Sequence, residues 1–439
     1  MNNPTDHKKI LSIALPAALN ALLDMLQVII DLLMVGRIST FAIAAVGLGL
    51  QGVMVLFAFL GLFSIGTTAL ISRYVGAKSL RRASFALASM IRFGLWVSLP
   101  VMVLWASITP RLYHWFDLPP EVIVLGFDYV MVLTLMMPFV IFKLIFVAAF
   151  NAYGDTQTPL YIKILSIILN ILLNYVLIFG YGEIPAMGVM GAAVATVIVN
   201  VLEVGLYVFL YIKRRTPFTP LWSYSSILIK KMLNVGLPTS IERSLSMSSY
   251  MLFSLIIASY GTYTFAGYQL GLRIEGIAFM AGVGFTVATM TLVGQALGAK
   301  NPIQAKADTI TVLRYTIGLM GILGIFMVTL PEVFVALFTD DGETIREASI
   351  YLIIVGLSQV PLAFNFVIAG ALRGAGDTRT TLKINLLSLW FVRIIPAFVL
   401  SYYFENIMFV YLAMISDTLI KAVALWLVFN RGAWQNIKL

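Results

Sequence analysis

The chain is a succession of apolar segments, each long enough to cross a lipid bilayer. A transmembrane helix needs about 20 consecutive, predominantly apolar residues. Twelve such segments follow one another: 10–35, 43–74, 87–113, 122–150, 158–180, 185–212, 229–260, 263–297, 308–338, 345–372, 381–403 and 407–430. Of the 439 residues, 60% are hydrophobic and only 11% are charged, whereas an average soluble protein is about 25% charged. The sequence therefore predicts an all-α polytopic membrane protein with twelve transmembrane helices.

Basic residues concentrate in alternate connections between these segments. The rich connections contain Lys8 and Lys9, the segment 73–82, Lys213 to Arg215, Lys230 and Lys231, Lys300, Arg373 and Arg431. The other connections are sparse in Lys and Arg and carry several acids. Because cytoplasmic loops are enriched in Lys and Arg, we expect the basic set and both termini to be cytoplasmic. The first segment lacks a small-residue cleavage site, so we interpret it as a retained helix and not a signal peptide.

The composition also excludes several classes of function. There is no cysteine, and His7 and His114 are the only histidines. Disulfides and thiolate metal sites are thereby excluded, and a zinc site or a histidine base is not expected. No Ser-base constellation is recognisable, so the sequence does not predict an enzyme. The net charge of +9 is explained by the cytoplasmic connections, and no nucleic-acid partner is predicted.

Short motifs recur at a constant separation of 222 residues. The pairs are Leu15-Pro16 with Leu237-Pro238, Leu48–Leu50 with Leu270–Leu272, Gly76–Lys78 with Gly298–Lys300, and Gly154–Thr156 with Gly376–Thr378. Four pairs at one separation indicate a duplicated unit.

The duplicated unit contains six helices, so both copies enter the membrane with the same orientation. We therefore expect two six-helix bundles, related by a pseudo-twofold axis along the membrane normal, around a central cleft. The predicted boundaries are an N-terminal lobe at 1–212, a cytoplasmic linker at 213–228 and a C-terminal lobe at 229–439. The linker is polar and basic and contains two prolines, Pro217 and Pro220.

Two acids interrupt the first apolar segment, in the stretch DMLQVIIDLLMVG. A charged side chain at the bilayer centre costs about 2.5–3.5 kcal/mol on insertion scales, so such a residue is a functional candidate. The repeat-equivalent of Asp31, 222 residues later, is Phe253. The two halves therefore differ at this position. Asp24 precedes Asp31 by seven residues, roughly on the same helix face. It either lines the same cleft or occupies a hydrated position.

Five motifs together resemble the multidrug and toxic compound extrusion (MATE) family of prokaryotic transporters, in its DinF-like branch. They are Leu15-Pro16, Asp31–Gly36, Met187–Thr196, Leu292–Lys300 and Ala371–Thr378. The resemblance covers essentially the whole chain. It implies secondary active efflux of organic, often cationic drug-like compounds in exchange for H+ or Na+ by alternating access. It further implies a monomer in the inner membrane, no cofactor, and a role in antibiotic resistance.

The resemblance also implies which residues bind the coupling ion. The family's first-helix acid corresponds to Asp31, and its partners correspond to Asn170, Asn174 and Thr196. Asn170 and Asn174 lie one helical turn apart, and carboxylate, amide and hydroxyl oxygens suit Na+ as well as a proton. A threonine also stands at the repeat-equivalent position of Thr196, so this residue is equally explained by packing. Relatives often have Asp at the position of Asn174, and Leu362 replaces an acid of some sodium-coupled relatives.

Further polar residues of the second half are candidates for the substrate cleft. Glu242 and Glu275 either contact substrate, together with Asp24, or pair with neighbouring basic residues. Tyr268 and Gln269 lie where relatives often have His-Gln, and are predicted substrate contacts.

A lipid-linked oligosaccharide flippase of the same broad superfamily is the alternative function. Such a protein needs an Arg- and Lys-rich cleft to hold a pyrophosphate, and often has additional helices. The clearest intramembrane charge of the first half, Asp31, is acidic, which favours a cationic substrate.

Overall fold

The structure is a computed structural model that describes residues 7–114, 119–404 and 406–437. These residues are almost entirely helical, as predicted, with an isolated bridge between Tyr181 and Ile184. The α-helices are α1 His7–Gly36, α2 Thr40–Gly76, α3 Leu80–His114, α4 Pro120–Thr134, α5 Met137–Tyr153, α6 Gln157–Phe179, α7 Gly188–Ile212, α8 Ser226–Ala258, α9 Thr262–Gly298, α10 Pro302–Thr329, α11 Pro331–Ala336, α12 Gly342–Ala375, α13 Thr378–Ser388, α14 Ile395–Tyr403 and α15 Ile407–Arg431.

Ten stretches of helix in the described residues are long and apolar enough to cross a membrane. An eleventh span is the pair α4 and α5, bent by 51° at its break. The remaining predicted span, 229–260, corresponds to α8, which has 33 residues. Four charged residues, Lys230, Lys231, Glu242 and Arg243, lower the hydropathy of α8. Its length nevertheless exceeds the about 20 residues that a bilayer span needs.

Proline explains two departures from the predicted spans. Pro138 starts α5, and a proline ring clashes with the carbonyl four residues earlier, which is that of Thr134, where α4 ends. The predicted span 308–338 is likewise divided. Helix α10 ends at Thr329, and Pro331 begins the short helix α11.

The predicted span 381–403 contains a π-helical turn. Helices α13 and α14 are joined by the π turn Leu389–Ile394. Pro396 follows two residues later and lacks the amide that would bond the carbonyl of Val392. Because this α-helical hydrogen bond cannot form, the regular ladder is interrupted here.

The internal repeat is visible in the backbone. Helices α2 and α9 each contain 37 residues and start 222 residues apart. The glycines that end α5 and α12, Gly154 and Gly376, are both left-handed, with φ of 102° and 90°. Such C-terminal glycines are common because they have no Cβ to clash. The structure therefore agrees with the duplication predicted from the motifs.

The GAK motifs end α2 and α9 with a lysine in the left-handed region. Lys78 has φ of 54° and Lys300 has φ of 59°. The amide that follows Lys78, from Ser79, bonds the carbonyl of Tyr74, and Asn301 bonds Ala296 in the same way. These bonds define Schellman motifs, in which glycine is the usual left-handed residue.

The helices form two compact units, one comprising α1 through Ala21 with the chain from Leu237 onward, the other Leu22–Gly236. The helices α1 and α8 are thus each divided, near Pro16 and Pro238 respectively. The N-terminal unit, Leu22–Gly236, has its own core of buried apolar side chains from α2 to α7. The C-terminal unit has two further buried clusters.

Gly191 allows α6 and α7 to approach closely in the N-terminal unit. A Cβ built on Gly191 would contact the carbonyl of Leu177 at a distance that real Cβ atoms do not show. We expect Gly191→Val to destabilise the purified protein by about 1–3 kcal/mol, as overpacking does. A lower thermal midpoint in detergent is the measurement.

Gly205, also on α7, is the matched control because a Cβ there meets no atom within 4 Å. Gly205→Val should leave the midpoint within about 0.5 kcal/mol of the wild type in free energy, as surface substitutions usually do. Equal effects of the two substitutions would contradict the close approach.

Candidate functional site

Two polar faces meet in the N-terminal unit, one on α1 and one on α6. Helix α1 contributes Asp24, Gln27 and Asp31, spaced so that all three lie on one side of the helix. Helix α6 contributes Lys163, Asn170 and Asn174, all of them buried. The two faces are joined by hydrogen bonds and one ion pair.

Asp31 is linked to the asparagines of α6 through Asn174. The amide nitrogen of Asn174 donates to Oδ1 of Asp31 at 2.6 Å and is 3.2 Å from Oδ1 of Asn170. Both asparagines are fully buried, and Asp31 is half-buried. The structure thus brings together three of the four residues predicted to bind the coupling ion.

This cluster has unused hydrogen-bonding capacity. Oδ1 of Asn174 and Nδ2 of Asn170 are buried and have no hydrogen-bond partner among the described residues. A buried polar atom without a partner costs about 1–3 kcal/mol. A carboxylate beside a free amide oxygen is a combination that a small hard cation can use. The arrangement therefore fits a small cation.

Thr196 does not contact this cluster through its hydroxyl. Its Oγ1 donates to the carbonyl of Ala192 at 3.0 Å, within α7. The backbone carbonyl of Thr196 accepts from Asn200 at 2.8 Å. These bonds suit a packing role on α7, the alternative that the repeat-equivalent threonine suggests.

Asp24 pairs with a buried lysine. Nζ of Lys163 forms an ion pair with Asp24 and donates to Oε1 of Gln27 at 2.7 Å. The Asp24 side chain is 53% exposed, whereas that of Lys163 is 4% exposed. Lys163 is not among the predicted site residues, although it lies seven residues before Asn170 and therefore on the same helix face.

A second ion pair lies elsewhere in the same unit. Nζ of Lys143 on α5 is 3.0 Å from Oε2 of Glu203 on α7. Glu203 is buried. Lys143 and Glu203 therefore form an ion pair that joins α5 to α7.

Glu242 is held by three side chains of the C-terminal unit. Oε1 accepts from Nη2 of Arg373 at 2.6 Å and from Asn385, while Thr381 is 3.3 Å from Oε2. The Glu242 side chain is 6% exposed. The carboxylate is thus paired internally, one of the two alternatives for it, with a partner more than a hundred residues away in sequence and not Arg243.

Glu275 and Tyr268 lie in a cluster of aromatic side chains. Oε2 of Glu275 accepts from the Tyr351 hydroxyl at 2.7 Å. The ring of Tyr351 packs edge-on against that of Tyr268, 5.2 Å between centroids. Tyr268 is buried, whereas the neighbouring Gln269 is exposed. Of these two predicted substrate contacts, Gln269 is the accessible one in this structure.

Metal-ligand geometry is limited in the described residues. They contain no group of three or more His, Asp or Glu side chains that could hold a metal ion. A Na+ ion at Asp31 would therefore be bound by one carboxylate with neutral oxygens. This suits a weakly held, exchangeable ion more than a structural metal.

Comparisons with known proteins cover nearly the whole chain. The MatE family model matches residues 16–176 and 238–399, so each match begins at the proline of a repeated motif. A probable multidrug resistance protein NorM of Thermotoga maritima is 31% identical, over 99% of this chain and 94% of the relative. A protein of the same name from Mannheimia succiniciproducens is 26% identical, over 90% and 86%.

Solved structures share the fold. A MATE crystal structure in complex with MaL6 superposes with a TM-score of 0.91 at 20% identity, over 98% of this chain and 97% of the other. An outward-facing multidrug resistance MATE transporter also gives 0.91 at 20% identity, with the same coverage. A MOP superfamily transporter from Pyrococcus furiosus gives 0.88 at 21% identity, again over 98% and 97%.

Proposed function

Because the chain belongs to the MatE family, whose members are membrane transporters and not enzymes, we propose that it is a secondary multidrug efflux antiporter. It exports organic, often cationic compounds in exchange for H+ or Na+ by alternating access, and needs no cofactor. It acts as a monomer in the inner membrane, with both termini in the cytoplasm. The NorM relatives favour this function over a lipid-linked oligosaccharide flippase.

The observation that carries the proposal is the hydrogen bond from Asn174 to Asp31, with Asn170 bonded to the same Asn174 amide nitrogen. A proton, a Na+ ion and a cationic compound can each neutralise the Asp31 carboxylate. Since only one of them does so at a time, their competition couples uptake of the ion to release of the compound. Loading of Asp31 then alters α1 at Pro16, where a proline interrupts the hydrogen-bond ladder of the helix.

Everted membrane vesicles test the function and its coupling ion. Accumulation of ethidium is measured under an imposed H+ gradient without Na+, and under an imposed Na+ gradient with the H+ gradient collapsed. Antiport predicts accumulation under one gradient or both, and none in vesicles from cells without the protein. Accumulation that requires ATP but no ion gradient would contradict the proposal.

Lys163 sets the net charge beside Asp31. It neutralises Asp24, so that Asp31 supplies the remaining negative charge of the two polar faces. We expect Lys163→Gln to release Asp24 and to increase efflux of dicationic compounds several-fold relative to monocationic ones. The ratio of the two efflux rates from whole cells is the measurement.

The double variant Asp24→Asn/Lys163→Gln restores the net charge and should restore the wild-type ratio. Lys213→Gln is the control, since it removes an exposed lysine of the same unit that forms no ion pair among the described residues. A ratio that is the same in Lys163→Gln and in the wild type would show that the Lys163 charge does not affect substrate choice.

A further inference from the structure

A second group of buried charges lies in the C-terminal unit, around Arg393. Asp417 is fully buried, and its Oδ2 is 2.8 Å from Nζ of Lys421 and 3.5 Å from Nε of Arg393. The Ser388 hydroxyl donates to the other carboxylate oxygen at 2.7 Å. These contacts are ion pairs and a hydrogen bond between helices and within α15. One carboxylate, however, is shared by two cations.

The Arg393 guanidinium is held in one orientation. Its central carbon is 5.1 Å from the ring centroid of Phe253 and 5.4 Å from that of Tyr250. Arginine stacks favourably on aromatic faces at such distances. Together with the 3.5 Å ion pair to Asp417, the two rings restrain the position of the guanidinium.

The terminal amino groups of Arg393 are unoccupied. Among the described residues neither of them has a hydrogen bond or ion pair, and the residue is only 8% exposed. Glu275 is the nearby acid whose charge interacts with Arg393. It forms no ion pair with the arginine, and Oε2 of Glu275 is occupied by Tyr351. The outer edge of the guanidinium is therefore free to bind an anionic ligand.

This cluster occupies sequence positions equivalent, at the 222-residue repeat, to those of the candidate ion site of the first half. Phe253 is the repeat-equivalent of Asp31, and Arg393 follows Val392, the equivalent of Asn170. The first half thus has the carboxylate of Asp31 where the second half has the ring of Phe253, which stacks on the Arg393 guanidinium. The π turn that carries Arg393 also has no counterpart in α6, which is regular. Such turns are frequent at functional sites.

We propose that Arg393 binds the carboxylate of zwitterionic organic substrates. The two terminal amino groups of an arginine match the two oxygens of a carboxylate, a geometry that lysine cannot reproduce. Tyr250 is 46% exposed and offers its ring to the apolar part of the same ligand. This inference rests on the proposed efflux function and adds to it a residue that recognises one chemical group of the substrate.

Rhodamine B and its ethyl ester distinguish this role, because they differ in the free carboxylate. Binding of each dye to the purified protein in detergent is measured by fluorescence anisotropy, and efflux of each is measured in cells. For Arg393→Gln we expect affinity for rhodamine B to fall about tenfold or more, as for loss of a charge-assisted contact. Affinity for the ester should change less than twofold. Arg393→Lys should show an intermediate, several-fold loss for rhodamine B only.

Arg92→Gln is the matched control, since Arg92 also stacks on aromatic rings but belongs to the N-terminal unit. It should leave the ratio of the two affinities unchanged. Equal losses for both dyes in Arg393→Gln, or no loss, would overturn the proposal. If Arg393→Gln does not accumulate, an unchanged ratio in Arg393→Lys would overturn it. If the wild-type protein binds both dyes, and Arg393→Gln weakens only the binding of rhodamine B, but cells export neither dye, the efflux function is contradicted and the carboxylate site is not.

Discussion

Asp31→Asn is expected to reduce efflux of cationic compounds to the level of cells that lack the protein. The substitution removes the negative charge for which, on the proposed mechanism, ion and substrate compete. It preserves the shape of the side chain and an oxygen that can accept from Asn174. The amount of protein in the membrane should therefore remain close to that of the wild type. Ethidium efflux and quantitative immunoblots of the membrane fraction are the measurements.

The control for this prediction is another acid within a helix of the same unit. Asp128 on α4 has no hydrogen bond or ion pair among the described residues, and Asp128→Asn should retain efflux. Wild-type efflux in Asp31→Asn at normal abundance would rule out Asp31 as the coupling carboxylate.

Arg373→Met is expected to destabilise the protein by about 3–5 kcal/mol, the cost of leaving one partner of a buried ion pair uncompensated. The Arg373 and Glu242 side chains are 13% and 6% exposed, so little water can replace the lost partner. Asn385 and Thr381 still donate to the carboxylate but carry no charge. A lower thermal midpoint of the purified protein in detergent is the measurement.

The double variant Glu242→Met/Arg373→Met removes both charges and should recover most of the lost stability, because buried ion pairs are often no better than apolar replacements. A double variant that is as unstable as the two single losses added together would mean that each residue acts through other contacts.

The helices were largely predictable from the sequence because their signals are local. Apolar length defines a span, and the motif pairs at a fixed separation define the duplication. The breaks before α5 and α11 are each caused by a proline, Pro138 and Pro331, that lies within a continuous apolar segment of the sequence. The π turn at Leu389–Ile394 was not predictable in this way. It depends on how the chain before Pro396 is accommodated by its neighbours.

The candidate site was only partly predictable, because side-chain partners come from distant parts of the chain. Asp31 and the two asparagines were identified through the family resemblance, and the structure places them in contact. The partners of Asp24 and Glu242, Lys163 and Arg373, lie 139 and 131 residues away from them. No spacing rule connects positions so far apart. Polar residues on one face of an apolar helix are the signal that would have suggested Lys163.

The left-handed lysines at the ends of α2 and α9 have a consequence for how the protein is made. A non-glycine residue in this region costs about 1 kcal/mol or more, and glycine would relieve it at both Lys78 and Lys300. Glycine would also remove a positive charge from each connection. On the proposed orientation both lysines face the cytoplasm, where such charges direct insertion of the nascent chain. The folded protein thus retains, twice, a strain that helps during its biogenesis.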